Sequence, residues 1–276
     1  MGLTGGVTLQ DVYTHGHHES VLRSHRWRTA TNSAAYLLPY LEPGQRLLDV
    51  GCGPGTITLD LAGRVAPGEV VGIDASAAVV AMAQDAAEAV GVDTVTFRTG
   101  DATVLPFEDD SFDVVHAHQV LQHLTEPVAA LREMRRVTRP GGIVAVRDAD
   151  YAAMTWYPRS DGLDEWLALY HEVTVVNRAE ADAGRRLLGW AREAGYDPAG
   201  LTPGADVWCY ATPEERTWWS EVWAERVTSS AFARQAVAYG LADDVALEVL
   251  AEAWRTWGEA EDGWFAVLHG QLLARV

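Results

Sequence analysis

From about residue 45 the chain alternates two hydrophobic rhythms: short β-rich runs, then longer stretches with apolar residues at helical spacing. "RLLDV" (46–50) predicts a strand leading into a helix over 55–64, and "GEVVGID" (68–74) a strand leading into a helix over 76–90. "TVTFRTGD" (94–101) reads as a third strand followed by a loop, and "FDVVHAH" (112–118) as a fourth, followed by a helix through about 137. "GGIVAVRDAD" (141–150) gives a fifth. Strands alternating with helices imply an α/β fold with a doubly wound, mainly parallel sheet that binds ligands at the carboxyl ends of its strands.

On both sides of this core the rhythm changes. Residues 10–41 read as one or two helices, with Val12, Val21, Leu22, Trp27, Tyr36, Leu37 and Leu38 as the apolar positions, ending at the turn "LEPGQ" (41–45). After residue 150, helices are expected over 162–179 and 182–195, a strand over 205–212, helices over 213–238 and 242–259, and a last strand over 263–276. Ten of the eleven Trp lie after the fifth strand. Most are expected to be buried by amphipathic helices. In "ERTWWSEVW" (215–223), however, Trp219 and Trp223 share one face while Trp218 points elsewhere, which suits a lid carrying aromatics above a ligand.

Composition narrows the class. The chain has 276 residues, 48% of them hydrophobic, enough for one large domain. No apolar run approaches the ~18 residues of a membrane span. The first residues show neither a basic nor an apolar signal region, so a cytoplasmic enzyme with no membrane partner is expected. Cys52 and Cys209 are far apart, and neither a disulfide framework nor a metal site is expected from them. The formal net charge is -18, and "REMRRVTRP" (132–140), the one basic cluster, reads as a solvated helix end, so nucleic acid is a poor candidate partner. All 21 basic residues are arginine. Without lysine there is no P-loop lysine, no Schiff base and no Tyr-x-x-x-Lys dyad.

The candidate chemistry centres on "LLDVGCGPGT" (47–56). A dinucleotide turn reads G-x-G-x-x-G, but here the third glycine, Gly55, follows Gly51 and Gly53 one residue early. Asp49 just before the glycines would repel a pyrophosphate and welcome a cationic amino acid group. Asp74 closes the second strand 21 residues after Gly53, where an acid accepts hydrogen bonds from an adenosine ribose. "GDATVLPF" (100–107) offers an acid and a small residue to an adenine edge.

Together, "LLDVGCGPGT", "VVGIDAS", "GDATVLPFEDDSFDVVHAHQVLQHL" and "VTRPGGIVAV" resemble the successive motifs of class I S-adenosylmethionine-dependent methyltransferases. They are most similar to the branch typified by quinone-biosynthesis C-methyltransferases, and "GRRLLGWAREAGY" (184–196) resembles the helix before that family's sixth strand. The resemblance implies a Rossmann-like sheet of seven strands with an antiparallel final strand, and S-adenosylmethionine as cofactor. It also implies roles: Gly51 and Gly53 against the methionine moiety, with Asp49 near its ammonium, and Asp74 on the ribose. Ala75 and Ser76 would flank the adenine, Asp101 and Ala102 would read its amino edge, and His118 and Gln119 would lie beside the sulfonium and acceptor. The organisation that follows is a helical cap over 1–41, a cofactor-binding core over 42–150, and a remainder over 151–276 that completes the sheet and adds a helical lid, all in one structural domain.

Methyl transfer is an in-line displacement that needs alignment, with a base where the acceptor must lose a proton. His118, at the carboxyl end of the fourth strand, is the expected base. His116 reads as a core residue, and His123 as equally structural or catalytic. Four of nine histidines fall within 13–28, where Tyr13 and His17 are expected to cap the cofactor rather than hold a metal. The expected reaction is methylation of a small, apolar or aromatic molecule at oxygen or carbon. A nicotinamide-dependent oxidoreductase and a non-catalytic cofactor-binding protein stay open as alternatives.

Overall fold

The computed structural model describes residues 11–16 and 18–276. Two short helices, α1 (Glu19–Arg26) and α2 (Ala30–Ser33), precede the sheet. The core then alternates β1 (Leu47–Val50), α3 (Thr56–Val65), β2 (Val70–Asp74), α4 (Ala77–Val90), β3 (Val95–Thr99), β4 (Phe112–His118), α5 (Pro127–Val137) and β5 (Thr138–Ala149). It continues through β6 (Thr155–Tyr157), α6 (Asp161–Val176), α7 (Ala183–Glu193), β7 (Leu201–Tyr210), α8 (Pro213–Ser229), α9 (Ala231–Ala238), α10 (Asp244–Glu259) and β8 (Trp264–Arg275).

Strands β3, β2, β1, β4 and β5 lie side by side in that order, all parallel, and β8 runs antiparallel beside β5. β7 covers the far edge of β8 from Leu201↔Ala274 to Tyr210↔Phe265. The three-residue β6 pairs with Thr155↔Ala266 to Tyr157↔Trp264, so it prolongs the β5 side of β8. The sheet therefore has seven strand positions, in the order 3-2-1-4-5-8-7, and is the Rossmann-like methyltransferase arrangement. β6 was not expected; three residues carry too little alternation to register as a strand.

Burial on both faces explains the continuous apolar runs. Every residue of β1 and β4 is buried. Leu47 joins an apolar cluster with Ile57, Leu61 and Val80 on one face, while Leu48 joins Met134, Leu187 and Trp190 on the other. Local signals fix the helix ends. The Ser76 hydroxyl accepts from Val79 N to start α4, and left-handed Gly91 ends it. A reciprocal Thr212–Glu215 cap with Pro213 opens α8. The expected helix 213–238 breaks at Ser230, whose hydroxyl donates to Arg226 O and accepts from Phe232 N, offering the backbone an alternative to another helical turn.

The third apolar cluster lies between α6, α8, α10 and β8. Trp166, Trp219, Trp223, Trp254, Trp257 and Phe265 are all buried in it. Most of the tryptophans after β5 thus build a core of their own.

Candidate active site

At the carboxyl ends of β1, β2 and β4 the chain opens a cleft of about 1000 Å3. β1 ends in the glycine turn, where Gly51, Gly53 and Gly55 all have positive φ (69°, 55° and 84°). Gly51 has a second reason to be glycine: a Cβ there would lie 2.2 Å from Val120 Cγ2, in the turn after β4. The turn delivers the chain to the N-terminus of α3, whose dipole end borders the cleft at Thr56 and Ile57.

Eleven of the twelve residues singled out in the sequence border this cleft: Tyr13, Asp49, Gly51, Gly53, Asp74, Ala75, Ser76, Asp101, Ala102, His118 and Gln119. His17 lies outside the described residues. Asp74 is fastened at the end of β2 by two backbone donors, Gly53 N to Oδ2 (3.1 Å) and Ser76 N to Oδ1 (2.9 Å). One carboxylate thereby ties the first glycine turn to the start of α4. Asp101 is exposed and accepts at Oδ1 from the Thr103 amide and hydroxyl, both at 2.7 Å.

Asp49 is 3% exposed, and both its oxygens are engaged from inside the protein. Thr58 Oγ1 donates to Oδ2 at 2.5 Å, and His116 Nδ1 lies 2.7 Å from Oδ1. His116 is thus a core residue with a polar task.

His118 is 5% exposed; neither ring nitrogen has a hydrogen-bond partner among the described residues, and the ring packs near Trp208 and His269. Burial, aided by Arg147 and Arg28, holds its pKa well below the usual imidazole range. Gln119 follows in a left-handed conformation (φ 54°). Its Oε1 accepts from Arg28 Nη2 at 2.5 Å and its Nε2 lies 2.8 Å from His269 Nε2. Since His269 Nδ1 is 3.1 Å from the Val267 carbonyl, the network assigns the His269 proton to Nδ1 and leaves Nε2 to accept from Gln119.

A second, smaller space of about 30 Å3 adjoins the cleft, and the two share Tyr13, His25, Arg28, Gln119 and His123 as lining. Its walls are aromatic: Trp27, Tyr151, Trp208, Tyr210, Trp218, Trp219 and Trp223. Trp218, expected to point away from Trp219 and Trp223, borders the same chamber. α8 is packed between α1 and α10, so its inward-facing arc is wider than one two-residue stripe. His25 bridges the two spaces, its Nε2 3.3 Å from the Tyr13 hydroxyl and its Nδ1 3.8 Å from where a Cβ of Gly53 would be. Burial pushes the Tyr13 phenol up to about 12 and His123 down to about 3.

Residues 41–197 match the family model for a methyltransferase domain. An uncharacterized methyltransferase of Schizosaccharomyces pombe is 36% identical over 274 residues, 96% of this chain and 97% of that one. The chain belongs to the methyltransferase family. It is a class I enzyme of the S-adenosylmethionine-dependent kind. More distantly, over 41% of this methyltransferase and 48% of the relative, the demethylmenaquinone methyltransferase of Bacillus cytotoxicus is 37% identical, which supports the quinone-biosynthesis-like branch. In fold, the YcgJ protein of Bacillus subtilis superposes with a TM-score of 0.56 at 22% identity, covering 88% of this chain and 97% of that one. S-adenosylmethionine is the methyltransferase's cofactor, and the cleft fits it: a carboxylate closes β2, glycines let the backbone approach, and acidic Asp49 lies below the turn.

Three residues that border these spaces of the methyltransferase were not singled out in the sequence: His25, Arg28 and Arg226. "HRWR" (25–28) lies in the stretch 10–41 expected to be helical, with no motif to mark it. Arg226 lies about two hundred residues away in sequence, and only the packing of α8 on α1 brings it to the chamber.

Proposed function

We propose that this methyltransferase methylates a small aromatic acceptor at oxygen or carbon. The observation that carries the reading is the aromatic chamber opening onto the cofactor cleft at Tyr13, His25, Arg28, Gln119 and His123. Ligand clefts commonly enclose about 300–1,000 Å3, so a cleft at the top of that range has room for an acceptor beside the cofactor. When bound, S-adenosylmethionine supplies a methyl group on a sulfonium.

The chain's own residues do the rest. Asp74 accepts from the ribose hydroxyls while its two backbone donors keep it oriented. Ala75 and Ser76 flank the adenine, and Asp101 and Ala102 meet its amino edge. Gly51 and Gly53 admit the methionine moiety, with Asp49 supplying negative charge near the ammonium. His118, buried and without a hydrogen-bond partner, packs against the cofactor side; its lowered pKa makes it a poor proton acceptor. His25 is the better base, because it stands where the two spaces meet, above Gly53. Tyr13 caps the junction. Holding acceptor and methyl in line is the main contribution of such a site.

A panel of hydroxylated aromatic compounds and aliphatic amines, incubated with enzyme and S-adenosylmethionine and read by mass spectrometry, tests the reading. Addition of one methyl to an aromatic member is expected. Transfer confined to the aliphatic amines would overturn it.

A further inference from the structure

Two guanidinium groups face the aromatic chamber, and no carboxylate meets either. Arg226 is 5% exposed; its Nη2 donates to Ser24 Oγ at 2.9 Å, its Nε has no partner, and its guanidinium lies 4.5 Å over the Trp223 ring. Arg28 donates from Nη2 to Gln119 and lies 5.7 Å from the Trp208 ring centre, and its Nε is also without a partner. We infer that the acceptor carries a carboxylate, bound by Arg226 inside the chamber with Arg28 at its mouth. This rests on the aromatic-acceptor reading above and narrows it.

The charge distribution argues for it. The chain holds 39 acidic residues, yet none of the described residues that border the chamber is Asp or Glu. Residues 1–10 and 17 contain no Asp or Glu either. Among the described residues neither Arg28 nor Arg226 forms an ion pair, whereas Arg23 on α1 pairs with Glu225, the neighbour of Arg226 on α8, at 3.1 Å. Burying a cation without its anion is unfavourable, so an anionic ligand entering the chamber gains by relieving that cost. Burial lowers the pKa of both arginines, and the nearby Arg226 charge lowers that of Arg28 further.

Size agrees as well. About 30 Å3 is room for two or three water-sized groups, the scale of two carboxylate oxygens and not of a whole ring. The ring would lie toward Tyr13 and His25, where the chamber meets the cleft, with the carboxylate directed inward. A planar guanidinium suits a carboxylate by paired donors, which a lysine could not match.

The test uses the full chain with S-adenosylhomocysteine present, following tryptophan fluorescence. 4-Hydroxybenzoate, 4-hydroxyphenylacetate and 4-hydroxycinnamate are each titrated beside the corresponding amide. At least one acid is expected to bind at least about tenfold more tightly than its amide, as a charge-assisted hydrogen bond requires. Arg226→Met should reduce that preference to under about threefold without lowering the Tm of the free protein, since an unpaired buried charge leaves with it. A lower Tm with the acid preference intact would make Arg226 a structural tie between α8 and α1 and overturn the inference. Should Arg226→Met fail to fold, Arg28→Gln, on a separate segment, carries the same comparison. Equal binding of acids and amides overturns this inference and leaves the aromatic reading standing; binding of neither overturns both.

Discussion

Asp49 and His116 face each other directly across the β1–β4 ladder, with Oδ1 and Nδ1 2.7 Å apart and no solvent reaching the imidazole. The carboxylate that precedes the glycine turn is thus held from below by one strand and, through Thr58, by α3. Thr58 and His116 together fix the orientation of both carboxylate oxygens.

His116→Leu should therefore leave a buried carboxylate short of a partner and cost about 3 kcal/mol or more of stability. In the Asp49→Asn, His116→Leu double variant the losses should sum to less than the two singles, because the pair acts as a unit. Urea unfolding of the four proteins measures this; strictly additive losses would show that the contact carries no energy.

Asp74→Ala removes both the proposed ribose acceptor and the tie between the two turns. Hydrogen bonds to a charged group contribute roughly 1.5–3 kcal/mol each, so affinity for S-adenosylhomocysteine should fall at least about tenfold in a protein that still folds. Calorimetry on folded variant decides it, and unchanged affinity removes Asp74 from the cofactor site.

His25→Asn and His118→Asn separate base from positioning residue. With His25 as base, His25→Asn should lower turnover at saturating cofactor by about 10²–10⁴-fold and flatten the acidic limb of the pH profile. His118→Asn should instead weaken cofactor binding and keep the profile's shape. The reverse pattern would return the base to His118.

Buried imidazoles set the response to acid. Burial holds His15, His118 and His269 well below the usual range and His123 at about 3. Below about pH 6.5 the unfolded chain takes up protons these groups refuse in the fold. Their contribution is complete above that pH and lost as pH falls, by about 1.4 kcal/mol per pH unit for each group once its unfolded imidazole is protonated. Asp148 has the opposite sign: burial raises its pKa to about 7, so its contribution is complete at low pH and lost as pH rises through 7. Urea midpoints from pH 4.5 to 8 should climb with pH, and more steeply in Asp148→Asn, which lacks the opposing group. A flat profile in both proteins would contradict these assignments.

The residues that border the large cleft of this methyltransferase were legible in the sequence because they are local. Gly51, Gly53, Asp74 and Asp101 each sit at the end of a strand whose apolar run announces it, and a parallel sheet must bring those ends together. The same order of strands carries His118 and Gln119 to the cleft. The aromatic chamber was not legible, since it is assembled from segments with no shared local signal. His25 comes from α1 and Arg28 from the segment just after it, Tyr151 from the turn after β5, Trp208 from β7 and Arg226 from α8. Each of these, read alone, is an ordinary aromatic or charged residue on an amphipathic stretch. Which ones share a chamber depends on how α8 packs against α1 and how β7 and β8 close the sheet, long-range contacts that depend on side-chain fit rather than on periodicity. Periodicity and motif order determined the sheet and its cofactor; packing alone decided that a buried Arg226 and a half-buried Arg28 would lie among tryptophans without an acid beside them.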